Sequence, residues 1–426
     1  MSNKISPPSG FFSVNGLLVF LLFVAPTIQY RVELGSFSFA LMEPLVLIVS
    51  AILLSYQISS RRKLIILKDP LVYLFAAITL WAALIRPWSL DQRHGLSDVR
   101  DWLIPLLGFI TLITTIRHGW RYWITIYIFL VWLSALLGIY QHLTDSFRPF
   151  ISELAAYKTE FAISPEEDRL ARASFAAGFF SHPNGFAMYL FTGLMMGIGK
   201  FYKSKPIVFL FVTLIPIALS LYWTFAKAGL LVMVGAILFI WIERWVKANR
   251  TLLVVALSGI IAGIVILWQV SRHIPPALLV TFWWRVGLWQ IALNIIRAHP
   301  IILLTGNGMD LFALQAYYGQ PHNLYIYLLL DYGLIGLIWV LVLAWHLWQR
   351  GIRIRTTGGM EAEPLLAAMW IGLLGYLVVG LVESNLMGIE LRMIFMIAAA
   401  CLAGLAREMA AEIQSREKAK GALHVR

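Results

Sequence analysis

The sequence predicts an all-α polytopic membrane protein with about twelve transmembrane helices and two long polar segments on one face. Three observations predict this fold class. Hydrophobic residues make up 60% of the 426-residue chain and charged residues only 13%, where soluble domains carry about a quarter charged residues. Apolar windows long enough to cross a bilayer recur from one end to the other. These windows lack the period-two alternation of membrane barrel strands. The mean hydropathy of +0.78, with 17 Trp, 16 Tyr and 25 Phe, suits a lipid-embedded chain with aromatic belts at its interfaces. One cysteine, Cys401, lies in an apolar stretch, so disulfides and cysteine-based metal clusters are excluded by count. The first apolar run lacks a convincing A-x-A cleavage site and reads as a first span, not a removed signal peptide.

Taken in order, spans one and two cover roughly 11–29 and 37–56, followed by the basic loop Arg61, Arg62, Lys63 and Lys68. Span three, roughly 70–86, leads through a short polar loop with Asp91, Arg93, His94 and Arg100 to span four, roughly 101–116. Arg117 and Arg121 separate it from span five, roughly 122–141. The first long polar segment, 142–183, holds the acidic run Glu166-Glu167-Asp168. Span six, roughly 184–199, ends at Lys200, Lys203 and Lys205, and span seven, roughly 206–223, turns at TFAKAG into span eight, roughly 229–243. Arg244, Lys247 and Arg250 precede span nine, roughly 251–270. The second long segment, 271–322, is followed by span ten, roughly 323–347, and by Arg350, Arg353 and Arg355. Span eleven, roughly 364–383, turns through ESNLMGIELR into span twelve, roughly 393–406, and a basic tail. No repeat of fixed period and no second domain interrupts this membrane unit, residues 1–426.

Charge placement tests the topology. Lys4, the tail and the five basic loops hold 21 of the 34 Lys and Arg but 7 of the 22 Asp and Glu, a net +14 on one side. The opposite side, with the acids inside spans, holds 13 and 15, a net −2. The overall +12 is therefore a positive-inside signature with both termini cytoplasmic, and both long segments fall on the outer face. It is not a nucleic-acid footprint, because no basic stripe with interleaved aromatics stands on a soluble domain.

On the outer face basic residues are the minority, so each one calls for a reason. In the second long segment, Thr281 is expected to cap a helix that runs to about Ala298, where Pro300 ends it. Trp283, Trp284 and Trp289 suit a helix lying in the membrane interface. Arg285 falls in the expected first turn, beside free N–H groups, which makes an anion site; the plain alternative is an arginine snorkelling to lipid headgroups. His322 follows Pro321 at the mouth of span ten, where a neutral imidazole can act as a base; the plain alternative is a capping or hydrogen-bonding interfacial histidine. No His/Glu spacing of a metal site accompanies it, so no metal and no cofactor is expected. Lys227 in the TFAKAG turn and Arg172 in the first long segment are further outer cations, each equally readable as a headgroup contact. Gly306-Asn307-Gly308 lacks the Lys-Ser/Thr of a phosphate-binding loop and reads as a turn. Asp331 and Glu43 lie within spans, where an isolated carboxylate costs a few kcal/mol. Each must face a cavity or a partner, and proton coupling in a transporter is the functional alternative. Glu383 closes span eleven on the outer face, placed to pair with one of the outer cations.

Several stretches together resemble the O-antigen ligase and polymerase superfamily. RASFAAGFFSHPNGFAMYL resembles its outer-loop segment, TFAKAGLLVM its Ser-Arg-Gly turn, and FWWRVGLWQIAL its Arg-x-x-x-Trp segment. GNGMDLF followed by PHNLYIYLLLDYGLIG resembles its Gly-x-Gly…His-Asn…Gly-x-x-Gly core and is the most specific of the four. The resemblance implies a GT-C-like, metal-independent, inverting glycosyltransferase of the bacterial inner membrane. Its donor would be an undecaprenyl-diphosphate-linked glycan and its acceptor lipid A–core, within a shell of membrane lipids; repeat-unit polymerisation on the same carrier is the alternative. By resemblance, Arg285, Lys227 and Arg172 hold the diphosphate and His322 is the catalytic base or positions the acceptor hydroxyl. Asn323, Asn184, Glu383 and Asp310 support them. The departure is Lys227 where the family has Arg, a point charge in place of a bidentate fork.

Overall fold

The computed structural model describes residues 13–60, 69–86, 92–144, 176–202, 207–236, 276–315, 321–356 and 363–424. Positions 29–30, 35–36, 117, 177, 181–182, 225, 227–228 and 231–232 are excepted. The described chain is helical apart from one short hairpin, β1 (Arg31–Leu34) against β2 (Phe37–Ala40), paired antiparallel with Arg31 opposite Ala40. The hairpin occupies the start of the segment expected as span two. The helix there begins at Met42 instead, after the backbone N–H of Ala40 has found the Glu43 carboxylate at 2.8 Å.

The remaining elements are α1 (Val14–Val24), α2 (Met42–Ser59), α3 (Pro70–Ile85), α4 (Gln92–Thr115) and α5 (Trp120–Thr144). They continue with α6 (Pro183–Phe201), α7 (Ile207–Trp223), α8 (Pro276–Ala298), α9 (Ile302–Thr305) and α10 (Gly308–Gln315), and end with α11 (Leu324–Thr356), α12 (Pro364–Val379) and α13 (Ile389–His424). Each expected span from the first to the seventh and from the tenth to the twelfth falls on one of these helices. The ninth and most of the eighth lie outside the described residues. Among the described residues, four helices are long and apolar enough to cross a membrane: α2, α5, and most of α11 and α13. Shorter apolar helices accompany them at Val14–Thr27, Pro70–Ile85, Val212–Trp223 and Pro364–Val379. This is a helical membrane protein.

Local chemistry sets several helix starts. Ser13 accepts from the Gly16 N–H, and Asp69 accepts from the Leu71 N–H with Pro70 at the first helical position. In α4 and α7, Pro105 and Pro216 sit inside apolar helices, a placement that membrane helices tolerate when neighbours satisfy the freed carbonyls. Helix α13 lies at the centre. Its Met393–Ala403 run is buried throughout, and it packs along α4, while α6 packs along α12. The small side chains Ala398, Ala399, Ala400 and Ala403 allow that close approach.

Helix α11 is broken at Gly333, whose φ of 66° and ψ of −161° only glycine adopts without strain. The carbonyls freed by the break are claimed from outside. The Asp331 oxygen accepts from the Asn307 N–H at 3.1 Å, and the Tyr332 oxygen from Trp81 Nε1 at 2.8 Å. Gly306-Asn307 presses onto this break with φ values of 67° and 64°. The expected turn is thus present, and it is a packing device between two backbones. Helices α8 to α10 form an excursion with its own small core of Leu288, Ala292, Ile295, Ile296, Ile302 and Phe312, seated on Leu330 of α11.

Candidate functional site

The functional reading depends first on where α8 starts. It begins at Pro276, five residues before the expected cap Thr281, because a proline at the first position brings a fixed φ and no stranded N–H. Arg285 therefore lies in mid-helix and not in the first turn. The free N–H groups of the helix start are too far away to share an anion with it. Arg285 instead reaches the loop after α12. Its Nη1 donates to the Val382 carbonyl at 2.5 Å, and its Nη2 forms an ion pair with the Glu383 carboxylate.

The same carboxylate takes His322. Nδ1 of His322 lies 3.2 Å from Glu383 Oε2. An ionised carboxylate only accepts, so Nδ1 is the donor in this bond. Burial alone would push the Glu383 carboxyl up. The hydrogen bond from His322 and the charge of Arg285 outweigh burial and hold it below the ordinary carboxylate range. His322 precedes α11 by two residues and adopts φ 46°, an uncommon backbone conformation for a side-chain-bearing residue. Contacts on both sides enforce it. Trp289 Nε1 donates to the Pro321 carbonyl at 2.9 Å. Asn323 caps α11, its Oδ1 accepting from Tyr325 and Ile326, while its Nδ2 donates to Leu381 at 2.7 Å. The Leu324 N–H donates to the Gly380 carbonyl at 2.7 Å. The Trp284 ring stands 5.2 Å from the imidazole. Strain held in place by so many contacts is a mark of functional positions.

The structure thus joins Arg285, Glu383, His322 and Asn323 in one cluster. The pairing expected of Glu383 with a cation of its own face is present. Within this described cluster the charges of Arg285 and Glu383 balance one another. Asn184 lies in the first turn of α6. Asp310 has its backbone in α10, and its side chain is outside the described residues. Arg172 and Lys227 lie outside the described residues altogether. Among the described residues no group of His, Cys, Asp and Glu side chains is arranged to hold a metal ion.

A second polar cluster gathers around Asp331, one of the two carboxylates within spans that were expected to face a cavity or a partner. Arg86, at the end of α3, forms ion pairs with Asp98 of α4 and, at 3.0 Å, with Asp331 of α11. Its Nη1 donates to Asn307 Oδ1 at 3.4 Å, and Asn307 Nδ2 donates to the Ile85 carbonyl at 3.2 Å. Arg392, 1% exposed, donates to the Leu386 carbonyl at 2.7 Å and to Tyr327 Oη at 3.2 Å, with its guanidinium 4.3 Å above the Trp102 ring. Trp102 Nε1 in turn donates to Tyr332 Oη at 2.9 Å. Glu43 pairs with Arg100 at 3.2 Å. Both carboxylates expected within spans therefore face arginines. The signal that would have found Arg86 and Arg392 was available: both are basic residues on the face where such residues are scarce.

The opposite end of the bundle carries Arg350 bonded to Asp69 at 2.6 Å, Arg121 beside Glu363, and Glu408 accepting from the Gly119 and Trp120 N–H groups. These residues belong to the basic loops of the sequence, so the clamp and the basic loops occupy opposite ends.

No protein-family model matches the chain, and no curated protein matches it.

Proposed function

We propose that the chain is a metal-independent, inverting glycosyltransferase that moves a glycan from an undecaprenyl-diphosphate carrier to a lipid A–core hydroxyl on the periplasmic face of a bacterial inner membrane. The observation that carries this reading is the Arg285–Glu383–His322 clamp. A carboxylate-oriented imidazole is the arrangement of a general base, and an arginine that shares the carboxylate stands beside it. The resemblance of residues about 172–345 to the ligase and polymerase superfamily supplies the substrates.

In this mechanism the acceptor hydroxyl attacks the anomeric carbon from the side opposite the diphosphate. Nε2 of His322 takes the hydroxyl proton as the new glycosidic C–O bond forms. The anomeric C–O bond to phosphate breaks, and the electron pair leaves with the diphosphate on its carrier. Arg285, Lys227 and Arg172 neutralise the developing charge, a role that positioned cations serve in diphosphate departure. Glu383 fixes the imidazole tautomer and balances the imidazolium.

One observation favours transport as a second reading: a span broken beside a buried carboxylate is common where transporters bind ions. Asp331 and Glu43 are both paired with arginines, which opposes a freely titrating site. Replacing His322 with Ala separates the readings. Loss of glycan attachment in cells at normal protein level is expected, and survival of attachment would sink the catalytic assignment. Gel analysis of a deletion strain separates ligase from polymerase: polymer left on the carrier lipid marks a ligase, and one-repeat lipopolysaccharide marks a polymerase.

A further inference from the structure

We propose that Asn307, held by Arg86, is a positioning residue that sets the reach of α8 and so places Arg285 against Glu383 and His322. Its effect on turnover rests on the glycosyltransferase reading; its effect on geometry does not.

The argument starts from how the excursion α8–α10 is attached. Its apolar core is a small cluster of its own, seated on α11 through Leu330, with Ile326 and Leu329 packed against it. Beside the bond from Trp289 to the Pro321 carbonyl at 2.9 Å, polar ties among the described residues run from it to two places. One is the clamp itself, from Arg285 to Val382 and Glu383. The other is the turn at Asn307, which reaches α3 through Ile85 and Arg86 as well as the broken carbonyl of Asp331. Arg86 cannot drift, because Asp98 and Asp331 grip it from two further helices and it is only 8% exposed. The turn is therefore fixed to three elements at once, and it ties the excursion to α3 as well as to α11.

Leverage makes this fixing matter. Arg285 stands 13 residues before the end of α8, about 20 Å at 1.5 Å per residue. A tilt of about 3° at the turn moves the guanidinium by about 1 Å over that length. Misplacement of that size in a reacting assembly costs up to about a hundredfold in rate. The Asn307 side chain is suited to the task. Asparagine tolerates the left-handed conformation the turn requires, and its amide supplies both a donor for the Ile85 carbonyl and an acceptor for Arg86.

The test uses Asn307→Gly in the full chain. Glycine keeps the positive φ and the backbone bond to Asp331, and removes only the two side-chain bonds. Spin labels on cysteines replacing Leu293 of α8 and Val378 of α12, both exposed, report the separation by pulsed EPR; Cys401 is buried and takes no label. The expected result is a distance distribution broadened by about 2 Å or more, with KM for a lipid-diphosphate glycan donor raised about tenfold and kcat changed less. Asn307→Asp, which keeps the acceptor for Arg86, should recover part of both effects. An unchanged distribution overturns the proposal, as does a broadened one with KM unmoved. A broadened distribution in a protein whose parent form transfers no glycan upholds the positioning and refutes the glycosyltransferase reading instead.

Discussion

Glu383→Gln isolates the orienting carboxylate while keeping its shape. In the native site this side chain, 13% exposed, accepts one bond from Arg285 and one from His322. Each is charge-assisted, a class worth about 1.5–3 kcal/mol. The amide still offers one acceptor oxygen, so the loss is about one such bond plus the charge that balances an imidazolium. At 1.4 kcal/mol per tenfold, about 3–4 kcal/mol lost in the transition state lowers kcat by about 10²–10³. Arg285 is released from its ion pair at the same time, so donor KM should stay level or fall. This combination of lower kcat without a higher KM distinguishes loss of an orienting group from a damaged fold. Purified protein in lipid nanodiscs, with a lipid-diphosphate glycan donor and a separated acceptor, gives both constants. A kcat within about threefold of the parent would refute the reasoning. The pH range of the assay follows from the sign of the carboxyl shift. Glu383 is held below its ordinary value, so its stabilising contribution is complete above the unfolded carboxylate value of about 4.3. That contribution is lost only as pH falls through the lower folded value. Between about pH 6 and 8 the carboxylate does not titrate, and the kcat contrast should hold across that window.

Gly306→Ala should lower thermal stability in detergent by about 1–3 kcal/mol, because the residue sits at φ 67° and a Cβ would strike the Asp331 carbonyl oxygen. An unchanged melting temperature would show that the turn does not press on the broken helix. Lys227→Arg should retain or raise transfer activity, since the bidentate fork suits a diphosphate better than an ammonium; a dead variant refutes the diphosphate role of that position. Gln141→Leu should loosen the segment before α6, because the Gln141 amide donates to and accepts from the Gly178 backbone at 2.8 Å in both directions. Faster proteolysis before α6 than in the parent is the expected readout, and equal rates would refute it.

Much of the helical course was legible because span-forming sequence is local information: about twenty apolar residues in a row need no partner to be recognised. The edges were less so. Thr281 looked like a cap, yet Pro276 started the helix, and that shift of five residues moved Arg285 out of the first turn. The pairing of Glu383 was foreseeable because a carboxylate on a face with few cations needs one of them. Its sharing between Arg285 and His322 was not, since residues 285, 322 and 383 meet only through three loops. Asp331 and Glu43 announced by their cost that they needed partners, but which arginine served each depended on helix packing. Arg392 stayed unrecognised because its companions, Trp102, Tyr327 and Leu386, come from separate parts of the chain.

The break at Gly333 also divides α11 by what surrounds it. From Leu324 to Tyr332 no residue is exposed. Beyond the break an outward apolar stripe runs through Leu334, Ile338, Leu341 and Trp345 to Ile352, about 27 Å along the axis. That nearly equals the thickness of a bilayer's hydrocarbon layer, about 30 Å. The outward apolar stripe therefore begins at the kink, and the enclosed piece continues about 13 Å further toward His322.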